Sequence, residues 1–273
     1  MRAIYEPRGA AAEYAELACN LYRGCGHGCR YCYAPACLRM TAAEFARPAP
    51  RRGIIEALLF DAATMAGDER DVLLCFTCDP YQPLDATEEL TRQAMSILAA
   101  NNLRPRVLTK NPMAAIRRDA DLLAEAGAVL GTTLAWTAAD DCRRWEPHAP
   151  PPAERAEAIR LARDCGLRTW LSVEPVIDAD QAIEVIRTLG REVDEVKVGK
   201  LNHNRAVEER TDWTTFCRRA VATLAKGPAA WYIKNDLWRH ADAVTRRWGR
   251  AGNGSDTTET QRRGNGTGLS IGH

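Results

Sequence analysis

Short apolar, β-branched runs alternate with longer amphipathic stretches through most of this chain, and that alternation restricts its fold more than any other feature. The runs are Leu17–Tyr22, Val72–Thr77, Arg106–Thr109, Val129–Leu134, Thr169–Val173 and Glu195–Val198. The helical stretches fall at about Thr41–Ala46, Ile54–Met65, Thr87–Ala99, Pro112–Ala126, Ala153–Cys165, Ala179–Leu189 and Trp213–Leu224. Local signals support the boundaries: Asn111 before Pro112 and Asp178 suit helix starts, and Gly166 suits a helix end. Strand then helix, repeated about six times, implies a parallel sheet. The expected fold is α/β: a partial (β/α)6 TIM-type barrel with outer helices, open on one side. Residues 17–248 would form the barrel domain and 1–16 an N-terminal extension. Residues 249–273, rich in Gly, Thr, Asn, Ser and Arg, read as a disordered polar tail.

Composition excludes several classes of protein. Lys plus Arg is 37 against 36 for Asp plus Glu, a net charge of +1, which argues against a strongly basic nucleic-acid binder. No apolar run is long enough for a membrane span, and the first residues lack the apolar core of a signal peptide. The expectation is a cytoplasmic protein with no membrane partner. There the ten cysteines stay mostly reduced, so a cysteine cluster points to metal binding or catalysis before disulfides.

Such a cluster is present. Cys25, Cys29 and Cys32 lie in the run Cys25-Gly26-His27-Gly28-Cys29-Arg30-Tyr31-Cys32-Tyr33, spaced C-x3-C-x2-C. Three close thiolates suit an iron–sulfur cluster that keeps one iron free of protein, and the free iron is where chemistry can occur. Gly24, Gly26 and Gly28 would let the backbone wrap a compact cluster. Tyr31 and Tyr33 flank Cys32 and could shield the cluster or stack on a ligand. Zinc is the alternative, with His27 or Cys37 as fourth ligand, but paired C-x2-C knuckles are missing.

In barrels of this kind the site lies at the C-terminal ends of the strands. The cysteine loop follows the first run, Asp79 the second and Lys110 the third; Thr132 and Thr133 end the fourth, and Glu174 the fifth. Asp79 can form an Asx turn, but the accompanying Tyr81 and Gln82 favour a site role. Lys197, Lys200, Asn202, Lys234 and Asn235 follow apolar runs, where surface solvation and substrate anchoring explain them equally.

Three segments carry a family resemblance: Asn20 to Ala34 with the cysteine motif, Thr77-Cys78-Asp79-Pro80-Tyr81-Gln82-Pro83, and Leu108-Thr109-Lys110. Together they resemble the radical S-adenosylmethionine (SAM) superfamily, and within it the spore photoproduct lyase-like family, over roughly residues 17 to 235 by motif order. The resemblance implies a [4Fe-4S] cluster on Cys25, Cys29 and Cys32, with SAM chelating the open iron. One electron, from a reductant such as flavodoxin or ferredoxin, cleaves the sulfonium, and the resulting 5′-deoxyadenosyl radical abstracts hydrogen from substrate. It also implies that Lys110 approaches the SAM carboxylate and that Thr132 and Thr133 hydrogen-bond the cofactor. Glu174 would meet the ribose or the substrate, and Glu146-Pro147 would lead to Arg155. A nucleic-acid substrate is carried by the resemblance and not by charge. A non-catalytic iron–sulfur or zinc protein is the competing reading.

One position departs from the family pattern. The family's hydrogen-donating cysteine aligns with Phe76, between Cys75 and Cys78. If strand alternation continued through this segment, Cys78 would share the face of Phe76, and it is the expected substitute, with Asp79 and Tyr33 completing the catalytic set.

Overall fold

The computed structural model describes residues 2–202 and 204–252. Seven strands run parallel: β1 (Leu17–Cys19), β2 (Asp71–Leu74), β3 (Arg104–Thr109), β4 (Val129–Thr133), β5 (Arg168–Val176), β6 (Glu195–Lys200) and β7 (Ala230–Ile233). Among the described residues, six helices of nine or more residues lie between successive strands: α1 (Ile54–Thr64), α2 (Leu90–Ala100), α3 (Pro112–Glu125), α4 (Pro152–Asp164), α5 (Ala179–Arg187) and α6 (Trp213–Leu224). The strands follow one another in chain order across the sheet, and among the described residues its two edges do not pair, so the barrel stays open. Antiparallel strands finish both edges, Ile4–Tyr5 beside β1 and Ala251–Gly252 beside β7.

Alternation sorts the side chains. Leu17, Cys19, Val72, Leu74, Val107 and Leu130 pack outward with α1, α2 and α3 in one apolar cluster. Val173, Val196, Val198 and Ile233 pack outward with α5 and α6 in another. Ala18, Leu73, Val129 and Trp170 point inward and fill the lumen. Strands apolar on both faces are what a sheet covered by helices requires. Asn111, Asp178 and Asp212 accept backbone N–H bonds at the starts of α3, α5 and α6.

The N-terminal segment reaches the open side. Glu13 accepts bonds from the Tyr232 hydroxyl (3.0 Å), Asn235 N (2.7 Å) and Arg250 Nη2 (2.8 Å), on and just beyond β7. Lys197 Nζ, on β6, donates to the carbonyls of Glu13 (2.9 Å) and Tyr14 (3.0 Å). The Tyr14 ring enters the lumen, with its centroid 5.7 Å from Phe76 and 6.0 Å from Trp170. Residues that begin beside β1 therefore end against β6 and β7.

Three details differ from the sequence reading. Ala230–Ile233 is a seventh parallel strand. The helix expected over Thr87–Ala99 is two pieces, Asp85–Glu88 and α2, because Glu89 is left-handed at φ 52°. Of the expected polar tail, Gly249 to Gly252 are described and end in the edge strand; residues 253–273 lie outside the described residues. No described helix is long and apolar enough to cross a membrane.

Candidate active site

The cysteine loop leaves β1 through Asn20 and a two-stranded ribbon in which Tyr22–Arg23 pairs antiparallel with Ala49–Pro50. Gly24 follows at φ 92°, and a Cβ there would lie 2.6 Å from the Phe45 carbonyl oxygen, so only glycine fits. Cys25 N then donates to that same carbonyl at 2.9 Å. Gln82, buried in the loop after β2, holds the next turn: Gly26 N donates to its Oε1 (3.0 Å), and its Nε2 donates to the Gly24 carbonyl (3.4 Å).

The three cysteines are partly buried. Burial raises all three pKa values, that of Cys29 to about 12 despite the opposing Lys110 charge. Cys25 and Cys29 act electrostatically on one another, as do Cys29 and Cys32. Among the described residues no three His, Cys, Asp or Glu side chains gather closely enough to hold a single metal ion. The donor set is soft and all-sulfur, and its spacing suits a polynuclear cluster better than a mononuclear zinc site.

His27, from the same loop, is buried with Nε2 3.1 Å from Asp79 Oδ2, a charge contact without hydrogen-bond alignment. Asp79 also accepts from Tyr81 N (2.9 Å), Thr109 Oγ1 (2.6 Å) and Lys110 N (2.7 Å). Burial alone would raise its pKa, but His27 and these donors outweigh it and hold the carboxyl at about 2. Asp79 thus forms the Asx turn and ties β2, β3 and the cysteine loop together.

Lys110 stands at the end of β3 with Nζ 3.9 Å from Glu146 Oε1 and 5.6 Å from the centre of the Tyr31 ring. Burial works against its charge, yet Cys29 and Glu146 raise its pKa. Glu146 also accepts from the Tyr31 hydroxyl and, at 2.5 Å, from Arg155 Nη2. Burial would raise the Glu146 pKa, but Lys110 and Arg155 lower it. Arg155 is fully buried and also donates to the Thr133 carbonyl (3.0 Å) and the Pro150 carbonyl (2.8 Å). Two cations and one carboxylate therefore lie beside Cys29.

The remaining expected residues fall in different places. Thr132 bonds the Thr109 carbonyl through its hydroxyl (2.8 Å), stapling β4 to β3, and Thr133 offers its carbonyl to Arg155. Tyr33 is about half exposed and donates to the Phe76 carbonyl (3.1 Å) at the strand mouth. Glu174 lies across the mouth against β6 and β7, held by Lys234 Nζ and the Tyr14 hydroxyl. Phe76 faces the lumen, whereas Cys78 packs with Cys75 in the outer cluster. Their expected common face is not observed, because β2 ends at Leu74 and alternation stops there.

Sequence reasoning missed Tyr14 and gave no role to Gln82's strap or to Trp170. Lys234 showed only as a cation after an apolar run, and Tyr14 sits in an Ala- and Glu-rich stretch with no motif.

The model of the radical SAM superfamily matches residues 19–189. The chain belongs to the radical SAM superfamily. The match runs from the last residue of β1 through α5 and includes the cysteine loop, Asp79, Lys110 and Glu146. Spore photoproduct lyase, solved with a dinucleoside spore photoproduct, superposes at TM-score 0.57 with 16% identity, over 81% of this chain and 64% of that one. Streptococcus suis SuiB, solved with S-adenosylmethionine, gives TM-score 0.57 with 11% identity, over 80% of this chain and 50% of that one. At such identity the likeness is one of radical SAM fold. Uncharacterized proteins of Mycobacterium tuberculosis and Mycobacterium bovis are 29% identical over 184 residues, which is 64% of this chain. The chain spans 54% of the length of these relatives.

Proposed function

We propose that this chain is a radical SAM enzyme in which Cys25, Cys29 and Cys32 hold three irons of a [4Fe-4S] cluster and leave the fourth to SAM. The observation that carries the reading is the C-x3-C-x2-C loop after β1, whose three partly buried thiols include Cys25 within electrostatic reach of Asp79 and Cys29 beside the Lys110 cation. Cluster and SAM, reduced by a donor such as flavodoxin or ferredoxin, would supply a 5′-deoxyadenosyl radical for hydrogen abstraction.

The chain's own residues bind and orient. Lys110, a cation held charged beside Glu146, would bind the SAM carboxylate. Tyr31, locked by Glu146, walls the cluster side, and Glu174 closes the opposite side toward ribose or substrate. Asp79 acts through His27 and the Lys110 backbone to set the loop. Tyr33 covers the mouth, and Cys78, which packs outside the lumen but acts electrostatically on Cys25, is the hydrogen-donor candidate. A nucleic-acid substrate accords with the dinucleoside bound by the structurally similar lyase.

Anaerobic reconstitution with iron and sulfide tests the proposal. The expected result is a brown protein that, once reduced, converts SAM to 5′-deoxyadenosine, and a Cys25→Ala/Cys29→Ala/Cys32→Ala variant that holds no cluster. A colourless zinc protein without turnover, or a cluster retained by the triple variant, rejects the reading. A stable cluster with no SAM cleavage marks a non-catalytic iron–sulfur protein.

A further inference from the structure

Charge is unevenly distributed along the chain. Residues 1–52 contain eight arginines, four glutamates and no lysine or aspartate, although the whole chain carries only +1. Among the described residues none of these eight arginines lies within ion-pair distance of a carboxylate, whereas Arg70, Arg92, Arg106, Arg118 and Arg155 all do. Clustering like charges without counter-charges is unfavourable unless an anion joins them.

Four of the eight line one cleft of about 840 Å³: Arg2, Arg23, Arg51 and Arg52, with Tyr5 and Asn20 in its wall and no acidic residue. The fold builds this cleft. The edge strand Ile4–Tyr5 brings Arg2 to the side of β1, and the ribbon pairs Arg23 with Ala49, just before Arg51 and Arg52. Arg51 is fixed through its N–H to the Leu21 carbonyl (2.9 Å) and its Nη1 to the Asn20 carbonyl (3.4 Å). Asn20 Oδ1 accepts from Phe76 N and Thr77 N, both at 2.7 Å, and Thr77 also lines the cleft. The Tyr33 hydroxyl rests on the Phe76 carbonyl, so the cleft runs up to the residue that follows Cys32.

We propose that this cleft seats the phosphodiester backbone of a single-stranded polynucleotide and leads it to the mouth of the parallel strands. The delivery half of this inference rests on the reading of the mouth as the reactive site; the binding half does not. All four cations are arginines, whose planar forks match phosphate oxygens two at a time. The volume exceeds what one phosphate fills, and a basic groove with an aromatic wall is the arrangement that tracks a single strand. A strand laying successive phosphates along the cleft engages all four cations at once, and the acidic face of a redox protein is the competitor that the test includes.

The test is fluorescence anisotropy of a labelled single-stranded DNA oligomer, titrated with reconstituted full-length protein at several salt concentrations. Four arginine–phosphate contacts give a slope of log K against log salt of about −2.8. Arg23→Gln/Arg52→Gln should make the slope shallower by about 1.4 and weaken low-salt binding about tenfold or more. Arg163→Gln/Arg191→Gln, with equal charge loss elsewhere, should leave the slope unchanged. Circular dichroism confirms that each variant is folded, and substrate-free SAM cleavage should persist in both. An unchanged slope in the cleft variant overturns the inference, as does an acidic flavodoxin or polyglutamate that competes as well as the oligomer. Normal oligomer binding by a protein that never cleaves SAM would instead reject the enzymatic reading and leave the binding site standing.

Discussion

Glu174 receives two hydrogen bonds from the single ammonium of Lys234, at 2.9 and 2.8 Å, across the mouth of the open barrel. Gly199 on β6 makes this pair possible, since a Cβ there would lie 2.6 Å from the Glu174 carboxyl carbon. Lys234 is almost fully buried, and burial raises the Glu174 pKa even against that ammonium. Removing one partner of such a pair strands the other charge, which costs more than removing both. Lys234→Met is therefore expected to destabilise the protein by about 3 kcal/mol, and adding Glu174→Gln should restore part of that loss. Urea denaturation of the two single variants and the double variant measures the coupling; strictly additive losses would show that the pair does not act as a unit.

Lys197 offers a pH signature. Burial pushes its ammonium down to about 8, Arg106 and Lys234 add to the effect, and Glu195 opposes it. Below pH 8 both folded and unfolded chains carry the proton. As pH rises from about 8 toward the ordinary lysine value near 10, the folded state releases its proton first, so this residue's contribution to stability increases over that window. The increase should approach about 3 kcal/mol. Thiol ionisation overlaps the same range, so the quantity to measure is the difference between wild type and Lys197→Met. That difference should change with pH only above about 8; a flat difference refutes the assignment.

What the sequence made legible follows from how local each signal is. Trp213–Leu224 was readable to the residue because its apolar stripe and the Asp212 cap both lie within the helix. The parallel sheet was readable because six of its strands fall in short apolar runs, each followed by a helical stretch. Ala230–Ile233 was not, since four residues after Gly227-Pro228-Ala229 carry no period of their own, and only pairing with β6 makes them a strand. The cysteine motif announced its chemistry, but the roles of Asp79, Thr132 and Cys78 depended on where strands end. Tyr14 becomes a lumen residue only because the chain crosses the open side of the barrel, a long-range event with no local cause.

Asp79 should behave as a positioning residue. Its carboxyl is held at about 2, below the usual value near 4, so its contribution is complete above about pH 4 and is lost as pH falls through about 2. The shift corresponds to about 2–3 kcal/mol at neutral pH. Asp79→Asn keeps the shape, removes the charge beside His27 and weakens the bonds to Thr109 and Lys110 N. The expected outcome is a loss of that size at pH 7, shrinking toward pH 2, together with faster cluster loss in air, read from the decay of the iron–sulfur absorbance. A variant as stable as wild type at pH 7 would refute the structural role.

Gln82 makes the sharper test of how the cysteine loop is held, because its side chain touches that loop only through backbone groups. Its oxygen takes the Gly26 N–H and its nitrogen gives to the Gly24 carbonyl, on either side of Cys25. Gln82→Ala leaves a buried donor and acceptor unpaired, a cost of about 1–3 kcal/mol. Gln82→Glu retains the acceptor for Gly26 N but brings a buried negative charge near the thiols. Both variants should lower the iron bound per chain after reconstitution, the glutamate more than the alanine, since added negative charge opposes thiolate formation. Gln82→Leu, which fills the space but cannot bond, should resemble alanine. If leucine restored full iron content, packing and not the amide strap would be what fixes Cys25.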